Sequence, residues 1–141
     1  MTAPDGVVVD ASVALRWLLN SDPGEQADAV MSTLDHRFAL VPVLWHHEVA
    51  NGLRNAVRAG NVAAQDVSGL CDALGLLDIR TDIIKPQVGR LGVEALLNDL
   101  TAYSVAYLLL ARDRGLPLAT FDTELAAAAR AAQVPLVFEG A

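Results

Sequence analysis

The chain has 141 residues and a formal net charge of −7, with 53% hydrophobic and 19% charged residues. This length suits a single domain over residues 1–141, and the excess of acids argues against a sequence-independent nucleic-acid binder, which relies on lysine and arginine contacts to phosphates. A nuclease is not excluded, because metal ions held by carboxylates reverse the sign of the charge where the scissile phosphate lies.

The composition also bears on location. The longest apolar run, Val105 to Ala111, is far shorter than the roughly 20 residues that cross a bilayer, and the first residues lack the basic and apolar regions of an export signal. Cys71 is the single cysteine, so it cannot form an internal disulfide, which suits a reducing compartment. Its apolar helical surroundings predict that it lies in the core. We therefore expect a cytoplasmic protein without membrane association, and the high apolar content favours a partner that covers part of the surface.

The first predicted element is a strand at Val7–Val9. Three β-branched residues followed by Asp10 favour a short buried strand whose carboxyl end presents an acid, and Ser12 is placed to cap the next helix, over 12–19. Open α/β sheets place their sites beyond the carboxyl ends of the strands. Asp10 is therefore a candidate for chemistry.

Helical repeats and short apolar runs alternate along the rest of the chain. Because strands and helices alternate, we predict parallel crossovers and an α/β fold of three layers, with a central, mainly parallel sheet flanked by helices. After the first helix we predict a loop at 20–24, in which Pro23 opens a helix over 25–34. The further predicted strands are at 38–41, at 75–80, just before Asp122 and at 134–138. The further predicted helices are over 45–59, over 63–74, from Pro86 to 97, from the Thr101 cap to 114 and over 123–132.

Two further acids suit a metal site at the same edge of the sheet. The run from Pro117 to Asp122 is again a short apolar segment that delivers an aspartate. Glu48 precedes Val49 on the apolar row of the longest predicted helix, so it borders the buried face. Hard divalent cations prefer such carboxylate oxygens.

Four blocks occur in an order that resembles the PIN domain, and most closely the toxin ribonucleases of the VapC type. They are strand-Asp-x-Ser at the N-terminus, Glu-Val-Ala-Asn-x-Leu-Arg from Glu48, Leu-Thr-x-Tyr-x-x-x-Tyr-Leu-x-Leu-Ala from Leu100, and Leu-x-Thr-x-Asp-x-x-Leu from Leu118 before an alanine-rich helix. The resemblance covers essentially the whole chain.

The resemblance implies a metal-dependent endoribonuclease in which acids hold Mg²⁺ or Mn²⁺ and a metal-activated water cuts RNA. Carried over to this chain, the catalytic and metal-binding acids are Asp10, Glu48 and Asp122, with Ser12 and Thr120 as supporting hydroxyls. It further implies a homodimer and a VapB-like antitoxin whose tail covers the apolar surface and enters the acidic pocket.

One position departs from the family pattern. Ser104 stands where the family has a metal-binding aspartate, and a hydroxyl can bind a cation through water without balancing its charge. Asp99 is an alternative acid, or a solvated residue just before the Thr101 cap. These residues leave open a second interpretation, a catalytically weakened PIN-fold binding module that still binds antitoxin or RNA.

Several side chains have both a functional and a plain structural interpretation. Asn51 and Arg54 follow Glu48 on one helix and are candidates for a rim that contacts RNA or antitoxin, or for a solvated face. The chain lacks the His-Glu-x-x-His zinc motif, because Asn51 stands where the second histidine would be, so we expect His46 and His47 to be surface or otherwise hydrogen-bonded histidines.

An aspartyl-phosphate phosphatase needs a second acid two residues after its nucleophile, and Ser12 occupies that position, so this class is disfavoured. For Glu124 we expect helix capping in preference to metal binding, and for Tyr103 and Tyr107 core packing.

Overall fold

A computed structural model describes residues 5–19 and 24–138. At its centre is an all-parallel sheet of four strands, which confirms the predicted α/β class and is consistent with three layers. The strands, in the spatial order β3-β2-β1-β4, are β1 (Gly6–Val9), β2 (Phe38–Pro42), β3 (Ile79–Asp82) and β4 (Leu118–Ala119).

Helices connect and flank these strands. They are α1 (Ala11–Leu19), α2 (Gly24–Met31), α3 (Val43–Arg58), α4 (Val67–Gly75), α5 (Val88–Asn98), α6 (Ala102–Arg114) and α7 (Thr123–Ala131), with 3₁₀ turns at Ser32–Asp35 and Ala64–Asp66. The predicted loop and helix start at 20–23 lie outside the described residues.

The core lies between the central strands and two long helices. Val8 pairs with Leu40 on one side and Leu118 on the other, and every residue of β1 is buried. Helix α6 packs against β1 and β2, while α3 packs against β2 and α1. Thr101 caps α6 by accepting the backbone N–H of Ser104, as predicted.

Helices α4 and α5 behave differently, since neither contains a fully buried residue. Cys71 on α4 is exposed, which corrects the expectation of a core cysteine. Tyr103, at the start of α6 beside α5, is also exposed, so only Tyr107 of the two predicted core tyrosines is buried. The repeats of apolar residues in α4 and α5 predicted that these segments contain helices. They did not predict which faces of those helices are covered.

Two predicted strands need correction. The third strand begins at Ile79 instead of residue 75, because the Leu76 and Leu77 N–H groups bond back to the end of α4. The final strand is reduced to one bridge between Leu118 and Leu136. Pro135 lacks an N–H and cannot extend that ladder.

Several predicted helix starts also move. Helix α3 begins at Val43 instead of residue 45, and α4 begins at Val67 instead of residue 63, after the 3₁₀ turn at Ala64–Asp66. Helix α5 begins at Val88, two residues after Pro86, with Gln87 as its extended N-cap. Helix α1 begins at Ala11, so Ser12 lies inside the first turn and is not its cap.

Within residues 5–19 and 24–138, no single helix is long and apolar enough to cross a membrane. Helices α5 and α6 pass that test only as a pair, with a bend of 97° between them.

Candidate functional site

Asp10 lies at the carboxyl edge of the sheet, between the ends of β1 and β4. Its backbone N–H donates to the Ala119 carbonyl at 3.0 Å, and its own carbonyl accepts the Val13 N–H as α1 begins. The residue is 8% exposed, which is rare for an aspartate. The sheet thus holds a buried carboxylate at the position that the strand pattern predicted.

Two hydroxyl groups hold the Asp10 carboxylate. Oδ2 accepts from Thr120 Oγ1 at 2.5 Å and from Ser12 Oγ at 3.1 Å. Each hydroxyl oxygen in turn accepts a backbone N–H, Thr120 from Asp122 at 2.9 Å and Ser12 from Phe121 at 3.1 Å. Since those N–H groups occupy one side of each oxygen, both hydroxyl protons point to Asp10. The supporting pair predicted from the sequence is therefore in contact with the acid that it was expected to orient.

Glu48 reaches the same region from α3. It is half-buried beside Val49, and its Oε1 accepts a hydrogen bond from the Tyr107 hydroxyl at 2.6 Å. Tyr107 comes from the middle of α6 and is 1% exposed. A buried tyrosine generally finds a partner for its hydroxyl, and here the partner is a predicted site acid.

Asp122 is the N-cap of α7. Its Oδ1 accepts the backbone N–H groups of Glu124 at 3.0 Å and Leu125 at 3.2 Å. Its Oδ2 accepts a hydrogen bond from the hydroxyl of Ser104 at 3.3 Å. The Ser104 hydroxyl oxygen in turn accepts a hydrogen bond from the hydroxyl of Thr101 at 3.3 Å. Ser104, which stands where an acid was expected, therefore contacts Asp122 directly. The N-cap of α7 is Asp122, and Glu124, for which capping was predicted, lies within the first turn of that helix.

The three acids influence one another electrostatically. Burial raises the pKa of Asp10, the hydrogen bonds from Thr120 and Ser12 oppose this, and the charge of Asp122 adds to it. Burial likewise raises the pKa of Glu48, the Tyr107 hydrogen bond lowers it, and the charge of Asp10 raises it. The site therefore concentrates negative charge in a poorly solvated place.

The described residues provide no basic partner for these acids, because none of their ion pairs includes Asp10, Glu48 or Asp122. In the same part of the chain, no group of three or more His, Cys, Asp or Glu side chains is arranged to hold a metal ion. Of the three acids, Asp122 has one oxygen, Oδ1, engaged by the N–H groups at the start of α7.

The other predicted site residues lie further out. Asp99 is exposed after α5, in the left-handed conformation with φ 51°, and no hydrogen bond joins it to the other acids in the described part of the chain. Asn51 and Arg54 are exposed on α3, three and six residues beyond Glu48. His46 is exposed and contacts Thr81 at 2.8 Å, and His47 is also exposed, as expected of surface histidines.

The sequence interpretation missed Tyr107 as a member of the site. It lies three residues after Ser104, so both are on one face of α6, and that spacing was the available signal. The contact with Glu48 joins residues 59 positions apart, which no local pattern encodes.

Comparison with known proteins gives a fold but no function. No protein-family model matches the chain, and no curated protein matches it in sequence. Among solved structures, the chain is similar to PAE2754 from Pyrobaculum aerophilum, with a TM-score of 0.64 and 24% sequence identity over 87% of this chain and 78% of that chain. At this identity the similarity supports the fold alone.

Proposed function

We propose that this chain is a metal-dependent endoribonuclease of the PIN type, the toxin component of a VapBC-like pair. The observation that carries the proposal is the buried Asp10 carboxylate. It has two further acids within electrostatic range, and among the described residues it accepts only from the Ser12 and Thr120 hydroxyls and the Ser12 N–H. A buried acid without a basic partner is costly, so a bound cation would remove the imbalance.

The donor set fits a hard divalent cation such as Mg²⁺ or Mn²⁺. Asp10 and Glu48 would hold it with carboxylate oxygens, Asp122 is the third candidate, and Ser104 would contribute through water. The cation, when bound, lowers the pKa of a coordinated water and offsets negative charge on the leaving oxygen of a phosphodiester.

The chain's own residues prepare this site and its rim. Ser12 and Thr120 direct hydroxyl protons at Asp10 Oδ2, while Oδ1 receives only a long 3.5 Å contact from the Ser12 N–H. That oxygen remains available to a cation. Further along α3, the exposed Arg54 guanidinium is suited to an RNA phosphate or an acidic antitoxin group, and Asn51 offers an amide beside it.

The remaining surface suits partners. Apolar side chains are exposed along α5 and the preceding loop, among them Ile83, Val88, Leu96 and Leu97. Contiguous exposed apolar surface is typical of interaction sites. It supports the proposal that a VapB-like antitoxin and a second copy of the chain bind here. We propose the cytoplasm as the location of the pair, as the sequence indicated.

The proposal is tested by cleavage of a mixed structured-RNA substrate with antitoxin-free protein and Mg²⁺ or Mn²⁺. Asp10→Asn should lower kcat/KM by roughly 1,000-fold or more, because it removes the central anionic ligand. Asp113→Asn, a matched change in an exposed acid paired with Arg90, should leave cleavage unchanged. Cleavage retained in Asp10→Asn would place the activity elsewhere or in a contaminant.

The second candidate is a binding module that has lost the reaction, and the Ser104–Asp122 contact favours it. With a hydroxyl in place of an acid, Asp122 caps α7 and the site has one carboxylate fewer. Silence in the wild type with cleavage gained in Ser104→Asp would support this alternative. Cleavage by the wild type would rule it out.

A further inference from the structure

We infer that Tyr107 is a positioning residue that keeps the Glu48 carboxylate turned into the proposed cation site. This inference rests on the proposed function, because it assigns Tyr107 a role in building that site. The juxtaposition is direct: the Tyr107 hydroxyl donates to Glu48 Oε1 at 2.6 Å, from a helix that the chain reaches 59 residues later.

Glu48 needs such a restraint because of its place on α3. It is half-buried at the edge of the buried face of α3. A glutamate at a helix edge has several rotatable bonds and can turn its charge to water. The Tyr107 hydrogen bond is the contact that opposes this movement.

Tyr107 is well suited to the task. Its ring is buried in α6, which packs against β1 and β2, so the hydroxyl is held by the core. From this fixed place the hydroxyl donates its proton to Glu48 Oε1 at 2.6 Å.

The arrangement leaves one Glu48 oxygen available. Oε1 accepts the Tyr107 proton, whereas Oε2 has no hydrogen-bond partner within the described residues. Fixing one oxygen orients the other, in the way that residues behind metal ligands commonly hold them in place. Tyr107 thus determines where Glu48 presents its charge without touching a cation itself.

The chain contains a matched control. Tyr103 lies one turn earlier on α6, is 66% exposed, and its side chain has no hydrogen bond in the part of the chain that the structure describes. Tyr103→Phe and Tyr107→Phe remove the same atom from the same helix. Only the second removes a contact to Glu48.

The test is Mn²⁺ affinity, measured from the electron paramagnetic resonance signal of free Mn²⁺ during titration. Tyr107→Phe should weaken Mn²⁺ binding by about 10-fold to 100-fold, the usual effect of losing a group that holds a ligand in place. Tyr103→Phe should match the wild type. In a Glu48→Gln background, Tyr107→Phe should cause no further loss, since there is no carboxylate left to position.

Thermal denaturation in EDTA accompanies each titration, so that a general loss of structure is recognised. Glu48→Asp is a second probe that leaves the core intact, because it keeps the charge but withdraws it from the phenol by one methylene. Because Glu48→Asp also withdraws the carboxylate from the cation, its own loss of Mn²⁺ affinity is the reference, and adding Tyr107→Phe to it should cause no further loss. Unchanged affinity in Tyr107→Phe, or a further loss when Tyr107→Phe is added to Glu48→Asp, would overturn the inference.

The results also separate this inference from the proposed function. If the wild type and Tyr107→Phe bind Mn²⁺ equally tightly, Tyr107 has no positioning role, but the cation site is retained. A wild type that does not bind Mn²⁺ overturns both. Binding with the expected Tyr107 effect but without RNA cleavage supports the inference and contradicts only the nuclease.

Discussion

Acidic residues occupy two contrasting environments in this molecule. On or beside β3, α5 and α6, four acids each contact an arginine: Asp78 with Arg80 at 3.0 Å, Asp82 with Arg114 at 2.9 Å, Glu94 with Arg112 at 3.1 Å and Asp113 with Arg90 at 2.7 Å. At the sheet edge, Asp10, Glu48 and Asp122 contact hydroxyl and backbone donors instead. We call the first region the balanced side, because each of its acids is paired with an arginine. We call the sheet edge the unbalanced side, because no described ion pair includes its acids.

The two environments move pKa values in opposite directions. Hydrogen bonds from arginine lower the pKa of Asp78, Glu94 and Asp113. Burial raises that of Asp10 and Glu48. The contrast identifies the sheet edge as the place where, among the described residues, the acids form no ion pair, which composition alone could not locate in a chain of net charge −7.

The apolar residues show a second contrast, between α6 and α5, and the largest prediction tests it. Leu108 on α6 is 0% exposed, whereas Leu97 on α5 is 75% exposed. Leu108→Ala should lower the free energy of unfolding by about 2–5 kcal/mol, and Leu97→Ala by no more than about 0.5 kcal/mol. Urea denaturation measures both. Equal losses would show that α5 is covered in solution.

A cation should stabilise the unbalanced side. At 100 times its dissociation constant, Mg²⁺ or Mn²⁺ should add about 2.7 kcal/mol, which corresponds to a rise in Tm of about 5–10 °C in a domain of this size. Asp10→Asn should abolish the rise and Asp113→Asn should keep it. An equal rise in Asp10→Asn would indicate a different binding site.

Without metal, neutralising the buried acid should be stabilising. Asp10→Asn in EDTA at pH 7 should raise Tm by about 2–4 °C, because the carboxylate is costly to bury. The pKa of Asp10 is raised above 3.8 in the folded state, so its contribution to stability is full below pH 3.8 and is lost as pH rises through the folded-state value. The advantage of Asp10→Asn should therefore shrink as the pH falls into that window. A lower Tm for Asp10→Asn at pH 7 would contradict the imbalance.

The smallest effect is expected on the balanced side. Asp113→Asn breaks a bidentate contact with Arg90, formed at 2.7 and 2.8 Å on the surface. It should lower stability by at most about 1 kcal/mol, and high salt should reduce the loss. Calorimetry at low and high salt checks this. A salt-independent loss would show that the pair acts through packing.

The parts of the fold that local chemistry dictates were predictable. The three valines before Asp10 predicted a buried strand, and Thr101 predicted the start of a helix. The structure contains both. The alternation of strands and helices predicted the parallel sheet. The shifted strand at Ile79 was not predictable, because Leu77 is as apolar as a strand residue and only its bonds back to α4 show that it is a turn.

That three acids lie near one edge of the sheet was predictable from the sequence, but their contacts were not. Strand ends and the family resemblance indicated Asp10, Glu48 and Asp122. Their partners depend on how α6 crosses the sheet, so neither the Tyr107 hydrogen bond nor the capping role of Asp122 could be inferred from spacing. Exposure of the α5 apolar residues likewise depends on what packs there, which helical periodicity does not reveal.

The most direct measurement is titration calorimetry of Mn²⁺ into the wild type, Asp10→Asn and Asp113→Asn. If the unbalanced acids at the sheet edge form a cation site, the wild type and Asp113→Asn will bind with the same affinity and Asp10→Asn will lose binding. Absence of binding in the wild type, or equal binding in all three proteins, would contradict the claim that Asp10 is the centre of a cation site.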